Sequence, residues 1–184
     1  MKFSKNILKI SAVFACLLCF TLSAEAQKRR IPVKKVTKPA STAVVNNAAE
    51  TNAEIKAGAE KVSTQIKNLS KFIYVLGGVA QGIQDIDKDI VSAKGKVARN
   101  VVDQNTKNKQ TVITTIRNLR AGIVALEIEF RTKPALRTYL PQIQGISDMT
   151  GIAEDQAMAG QLTESGKTLL LVVEKLADTL VVLP

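Results

Sequence analysis

The sequence predicts an all-α protein, an elongated antiparallel three-helix bundle of coiled-coil character that follows a signal peptide and a disordered basic arm. Two observations lead to this fold class. From Ile55 onward, apolar residues recur at steps of three, four or seven positions, which is the spacing of helices that pack side by side. No convincing stretch of alternating apolar and polar residues indicates a strand.

Residues 1–26 have the order of a secretory signal peptide. Three lysines and no acidic residue precede an apolar run over 10–22, and Ala24 and Ala26 place small residues where signal peptidase reads them. A run of about 13 residues is too short for a membrane span, which needs about 20. We therefore expect cleavage between Ala26 and Gln27 and an exported protein, either periplasmic or secreted.

The two cysteines of the chain, Cys16 and Cys19, lie in the apolar run and suggest a second interpretation, a lipid-modified N-terminus. A lipidated cysteine follows a small residue, which Ala15 provides for Cys16 and Leu18 does not provide for Cys19. The bulky Phe14 and the short apolar stretch before Cys16 favour ordinary cleavage. The sequence leaves lipidation open.

Residues 27–42 form a separate basic segment. It contains Pro32 and Pro39, which block helix formation, and it has no acidic residue. Its basic residues are Lys28, Arg29, Arg30, Lys34, Lys35 and Lys38. We expect a disordered arm that binds an anionic surface such as phospholipid or cell-wall polymer, or a leader that only keeps the cleavage site accessible.

The composition after cleavage leaves few residue types for catalysis. The chain has no histidine, and both cysteines belong to the signal peptide, so imidazole bases, thiolate nucleophiles and soft metal ligands are missing from the mature part. No serine lies in a Gly-x-Ser-x-Gly context. We therefore expect no enzyme activity, no cofactor and no metal site.

The stretch GQLTESGKT, residues 160–168, looks like a phosphate-binding loop but departs from it in spacing. That loop has four residues between its first glycine and Gly-Lys-Ser/Thr, whereas five residues separate Gly160 from Gly166. A buried strand should precede the loop, and the residues before Gly160 do not form one. We interpret the stretch as one turn of a helix that passes through Gly166, and we expect no nucleotide binding.

Asp85, Asp87 and Asp89 alternate along the chain as the first ligands of a calcium-binding loop do. Such a loop needs glycine at its sixth position and glutamate at its twelfth, where this chain has Ile90 and Lys96. Both positions have a physical role, in the sharp turn and in bidentate binding. The aspartates are therefore interpreted as part of a solvated helix face.

The helical bundle domain is predicted over 43–184. Its helices are expected at about 46–93, 96–132 and 141–182. Gly95 supplies a glycine after the first helix, and Pro134 ends the second. Pro141 marks either a kink or the start of the third helix. The rival position for the first turn is the polar stretch 103–110, which forms a polar layer inside the second helix if the chain turns at Gly95.

These features favour a non-catalytic helical-bundle protein of the bacterial cell envelope that acts as a structural or protein-interaction module. Its expected partner is an envelope protein or a second copy, with an anionic membrane or cell-wall surface bound through residues 27–38. One alternative is a membrane-active, pore-forming-like protein, because 71–83 is apolar and rich in glycine. The other is a periplasmic holdase chaperone, which rests on general architecture and charge alone.

Overall fold

The structure is a computed structural model that describes residues 42–92 and 97–184. This part of the chain forms helices and no strand, which confirms the all-α prediction for the described residues. The helices are α1 (Thr42–Ser92), α2 (Arg99–Thr132), α3 (Pro134–Arg137), α4 (Leu140–Ile143), α5 (Ile146–Met158) and α6 (Leu162–Val182). Residues 50–184 make up one compact unit, and the packing described below belongs to it.

The two longest helices, α1 and α2, run in opposite directions along each other. Near one end of the pair, Lys61 of α1 contacts Glu129 of α2 at 2.6 Å. Near the other end, the side-chain amide of Asn105 donates to the carbonyl oxygen of Ile83 at 3.3 Å. Residue numbers therefore rise along α1 as they fall along α2, as the sequence predicts for the first two helices of an antiparallel bundle.

α5 lies against α2 and is antiparallel to it. The guanidinium of Arg117 donates to Glu154 of α5 at 2.8 Å. Ten residues later in α2, Glu127 accepts from Ser147, which precedes Glu154 by seven residues, at 2.7 Å. The short helices α3 and α4 make the connection between α2 and α5. Leu136 of α3 is fully buried and reaches the α1 backbone at Gly58, where an added Cβ would lie 2.7 Å from the leucine side chain.

α6 returns along α5 and closes the unit. The hydroxyl of Ser165 donates to the carbonyl oxygen of Ala153 at 2.7 Å, and Lys175 donates to the carbonyl oxygen of Gln144 at 2.7 Å, so these two helices are antiparallel. The other side of α6 faces α1, because Gly166 lies opposite Leu76.

The core follows the predicted helical period along most of the chain. Large apolar side chains that are almost completely buried come from every helix of the unit. They are Leu69, Leu76, Ile83, Ile116, Ile123, Phe130, Leu136, Ile143, Ile146, Leu162, Leu169 and Leu176. Their burial removes apolar surface from water at roughly 25 cal/mol per Å², which is the main force holding the helices together.

The structure corrects the expectation of a single third helix over 141–182. In its place the chain forms α4, α5 and α6, with breaks at Gly145 and Gly160. Both glycines have a positive φ, 87° and 78°, in the left-handed region where a helix of L-residues cannot continue. The second break reverses the chain direction. The last third of the sequence thus supplies two antiparallel helices instead of one long helix.

The first connection lies between Ser92 and Arg99. The polar stretch 103–110, the rival position for this turn, is helical and forms part of α2. Asn105 and Asn108 within it are buried, so the stretch does contribute a polar layer to the bundle. The observed bounds of α1 and α2 lie close to the predicted 46–93 and 96–132.

Candidate functional site

The residues that the sequence predicts to be functional lie in a part of the chain that the structure does not describe. These are the predicted anionic-surface residues Lys28, Arg29, Arg30, Lys34, Lys35 and Lys38, and the cleavage pair Ala26 and Gln27. The signal peptide over 1–26 and residues 27–41 of the basic arm are outside the described residues for the same reason. The folded unit therefore contains none of the predicted site residues.

The stretch that looks like a phosphate-binding loop is a helical hairpin. Gly160 forms the turn after α5, and Gly166 lies inside α6. Lys167 and Thr168, the two side chains that such a loop would use, and the neighbouring Ser165 make contacts within the fold. Ser165 donates to Ala153, Lys167 contacts Glu164 at 2.8 Å, and Thr168 donates to Gln156 at 2.8 Å. Each of these contacts ties α6 to itself or to α5.

The three aspartates at 85, 87 and 89 belong to α1, where Asp85 and Asp89 are exposed and Asp87 is on a different face. Asp85 is exposed and accepts from Gln81 at 2.8 Å, one helical turn away. Asp87 turns towards α2, where it accepts from Asn105 at 2.7 Å and contacts Lys109 at 2.6 Å. Among the described residues, no group of three or more acidic, histidine or cysteine side chains has the arrangement of a metal site.

Glu127 is a buried carboxylate that joins α2 to the start of α5. It accepts hydrogen bonds from the backbone N–H of Gly145 at 3.4 Å and from the N–H and hydroxyl of Ser147 at 3.3 and 2.7 Å, and Arg131 lies at 3.3 Å. Burial acts to raise its pKa, but these hydrogen bonds and the arginine together lower the pKa below the ordinary value. Glu127 is therefore held as a carboxylate that caps α5.

Glu154 is a second buried carboxylate, on α5, and it joins two arginines of α2. Arg117 donates to one oxygen at 2.8 Å and Arg120 to the other at 3.1 Å. These two hydrogen bonds lower the pKa of Glu154 and outweigh the opposing effect of burial. Gly151, one turn earlier, leaves room for Arg120, since a Cβ there would lie 3.2 Å from the guanidinium.

Glu129 is the third carboxylate with a lowered pKa. Burial acts to raise its pKa, and contacts from Lys133 and Lys61 overcome that effect. Because Lys61 belongs to α1 and Lys133 follows α2, this carboxylate fastens three parts of the chain at one end of the unit. All three glutamates thus connect helices, and the sequence did not predict this role for them.

An open surface on α1 and α6 combines an exposed aromatic side chain with an apolar groove. Tyr74 projects from α1 with 86% of its surface exposed, and Gly77 and Gly78 beside it have no atom within 4 Å of an added Cβ. Next to them a groove of about 380 Å³ runs between α1 and α6. Its apolar floor includes Ile73, Leu76, Ala80, Leu162 and Leu170.

One side of the apolar segment 71–83, which raised the membrane-active alternative, packs into the core. Phe72, Leu76, Val79 and Ile83 are buried against the other helices. No helix in the described part of the chain combines the length and apolarity needed to cross a bilayer.

The chain matches no protein-family model, no curated protein and no solved structure.

Proposed function

We propose that the protein is an exported, non-catalytic helical-bundle protein of the bacterial cell envelope, a structural or protein-interaction module held at an anionic surface by its basic arm. In this proposal residues 1–26 are a signal peptide removed between Ala26 and Gln27. Residues 27–38 then bind an anionic membrane or cell-wall polymer. The helical unit remains available to a protein partner.

The uneven distribution of charge carries this proposal. Residues 27–40 contain six basic residues and no acidic one, whereas residues 41–184 contain 17 basic and 15 acidic residues. Attraction to an anionic membrane is worth about 1 kcal/mol for each lysine or arginine near the surface. Charge concentrated in one segment therefore directs that segment to the surface and leaves the nearly neutral helical unit exposed to other proteins.

The arrangement of the helical unit supports a role as a scaffold. Glu127 and Glu154, which are buried, and Glu129, which is partly buried, connect helices through charge-assisted hydrogen bonds, which favour one fixed arrangement of α1, α2 and α5. Its outer face on α1 and α6 displays apolar groups at an open groove. Rigid helices with a partly apolar face are typical of proteins that act by binding other proteins.

Co-sedimentation of the mature chain with vesicles tests the arm. We expect binding to phosphatidylglycerol vesicles at low salt, loss of binding as salt rises, and no binding to phosphatidylcholine vesicles. The triple variant Lys34→Gln, Lys35→Gln and Lys38→Gln should bind about 100-fold more weakly, because each charge contributes about 1 kcal/mol.

A matched control removes the same charge from the helical unit. Lys56, Lys107 and Arg137 are exposed on α1, α2 and α3, and their triple change to glutamine lowers the net charge equally. We expect this variant to bind as the unchanged protein does. Equal weakening of both triple variants would show that net charge, and not the arm, controls binding. Salt-independent binding to both vesicle types would favour the membrane-active alternative.

A further inference from the structure

The outward face of α1 carries its charges in an ordered pattern around two glycines. Lys67 and Lys71 are exposed before Gly78, and Asp85 and Asp89 are exposed after it. The spacing is symmetric in sequence: Lys71 precedes Gly78 by the same seven residues by which Asp85 follows it, and Lys67 and Asp89 are each eleven residues away. Along this row the charges are basic before Gly78 and acidic after it, and Lys88, which is also exposed, lies beside Asp85.

Such a face is complementary to itself when a second copy is turned end to end. An antiparallel pair of α1 helices centred on Gly78 places Lys71 opposite Asp85 of the other copy, and Lys67 opposite Asp89. A two-fold axis then repeats both pairs, because an interface of this symmetry uses the same patch on both subunits. Parallel pairing would instead align like charges, which is destabilising.

The shape of this face also fits a second α1. Gly77 and Gly78 have open space where a side chain would project, so two helix backbones can approach closely at the centre. Tyr74, exposed by 86%, lies one turn before the centre and would project over the partner's groove between α1 and α6. The groove is lined there by Gly77 and Gln81 of α1 and Thr163 of α6, which offer a small residue and two hydrogen-bonding side chains for the phenol.

We propose that the mature protein forms a two-fold symmetric homodimer through the outward face of α1, with the two helices antiparallel and crossing at Gly78. Each copy places Tyr74 over the groove of the other. The order of the charges is the reason for proposing a second copy, since an identical face turned end to end supplies the matching order in reverse. The contacts that Asp85 makes with Lys88 and Gln81 within α1 are exposed and exchange readily for contacts between subunits. This proposal concerns the helical unit and does not depend on what the basic arm binds.

Sedimentation equilibrium of paired charge-reversal variants tests the proposal. The unchanged mature protein should be a dimer at low salt. The double variant Lys67→Glu, Lys71→Glu and the double variant Asp85→Lys, Asp89→Lys should each raise the dimer dissociation constant about 100-fold, because every attractive pair becomes a repulsive one. Mixed in equal amounts, the two variants should form a heterodimer, since each then meets the opposite charge.

The control variant reverses two charges that do not lie on this face. The double variant Lys56→Glu, Lys107→Glu changes the net charge as the first variant does, and it should dimerise like the unchanged protein. Circular dichroism should give helical spectra for all variants, because the substituted side chains are exposed. A monomeric unchanged protein, or the absence of a heterodimer in the mixture, overturns the proposal.

A substitution at the centre tests the crossing point independently of charge. A side chain at position 78 has open space in the single chain. At dilute concentration, the melting temperature of the Gly78→Leu variant should therefore equal or exceed that of the unchanged protein. At the proposed axis two leucines would face each other and hold the helices apart, so this variant should be monomeric. Gly78→Leu dimers as stable as those of the unchanged protein would place the contact elsewhere and contradict the proposal.

Discussion

Glu127 on α2 accepts hydrogen bonds from both the backbone N–H and the hydroxyl of Ser147, in the first turn of α5. The residue that precedes α5, Gly145, has no side chain with which to bond the free N–H groups at the helix start. A carboxylate from the neighbouring helix takes that role. Helix capping and the contact between α2 and α5 are therefore one interaction.

Replacing this carboxylate should destabilise the protein. We expect Glu127→Gln to lower the free energy of unfolding by about 1–3 kcal/mol, because the neutral amide has one acceptor oxygen for three donors and loses the attraction of Arg131. Urea unfolding followed by circular dichroism measures the loss. Asp148→Asn, an exposed change in the same first turn of α5, is the control and should stay within about 0.5 kcal/mol. Equal losses would show that general charge at the helix start matters and the specific cap does not.

The lowered pKa values make the fold sensitive to acid. Glu127, Glu129 and Glu154 have lower pKa values in the folded protein than the ordinary glutamate value of 4.5. A group of this kind contributes stability that is present above its unfolded pKa and is lost as the pH falls through its folded pKa. We expect the melting temperature to begin to fall near pH 4.5 and to continue falling below it.

A single variant can show whether the glutamates cause this loss. Glu154→Gln should be less stable than the unchanged protein at neutral pH, because Arg117 and Arg120 lose their charged partner. It should also lose less stability on acidification, since one of the groups that takes up a proton is gone. Melting curves of the two proteins across this pH range should converge. Curves that stay parallel would mean that Glu154 has the same pKa in the folded and unfolded chains.

The helical period of the sequence predicted the buried residues correctly within the long, uninterrupted helices α1 and α2. The period through α1 and α2 placed Val62, Leu69, Ile116 and Phe130 in the core, where they are. After Gly145 the period still leads to the buried Ile146, Leu162, Leu169 and Leu176, but it fails within α5. Three-residue steps carried from Ile146 reach Ile152, which is 52% exposed, and Glu154 is buried instead. Two steps of three residues make only about 1.7 helical turns, so they leave the buried face.

The breaks themselves could not be recognised from glycine alone. Gly151 and Gly166 lie inside helices, whereas Gly145 and Gly160 adopt positive φ and interrupt them. The residue type is the same at all four positions, so it does not distinguish a glycine inside a helix from one that interrupts it. The buried glutamates were missed for a related reason. The partners of Glu154 are 34 and 37 residues away, and only the folded chain brings them together.

The polar layer at Asn105 should cost stability in exchange for a defined helix register. Its amide donates to Ile83 and Asp87, but its buried oxygen has no hydrogen-bond partner among the described residues. We expect Asn105→Leu to raise the free energy of unfolding by about 1 kcal/mol, because an unsatisfied buried oxygen is removed and Asp87 keeps its contact with Lys109. Asn108→Leu is the comparison.

Asn108 is buried in the same layer, but its oxygen accepts from Gln104 at 2.9 Å. Its replacement should therefore gain less than the replacement of Asn105. Thermal unfolding of the two single variants measures both effects, and a loss of stability in Asn105→Leu would contradict this prediction. Buried asparagine at such a seam is known to fix the alignment of helices, so broader unfolding transitions are expected in both variants.

The turn between α5 and α6 should depend on glycine at position 160. We expect Gly160→Ala to lower the free energy of unfolding by about 1–2 kcal/mol, because a residue with a Cβ is strained at a φ of 78°. Gly77→Ala is the matched control: it lies inside α1 with open space around it, and should raise the free energy of unfolding by up to about 1 kcal/mol. Gly166→Ala should fall between them, since its Cβ would lie 3.4 Å from Leu76. Urea unfolding of the three variants gives the order directly. If Gly160→Ala were as stable as Gly77→Ala, the chain would not need the left-handed turn, and α5 and α6 could join into the single helix that the periodicity alone suggests.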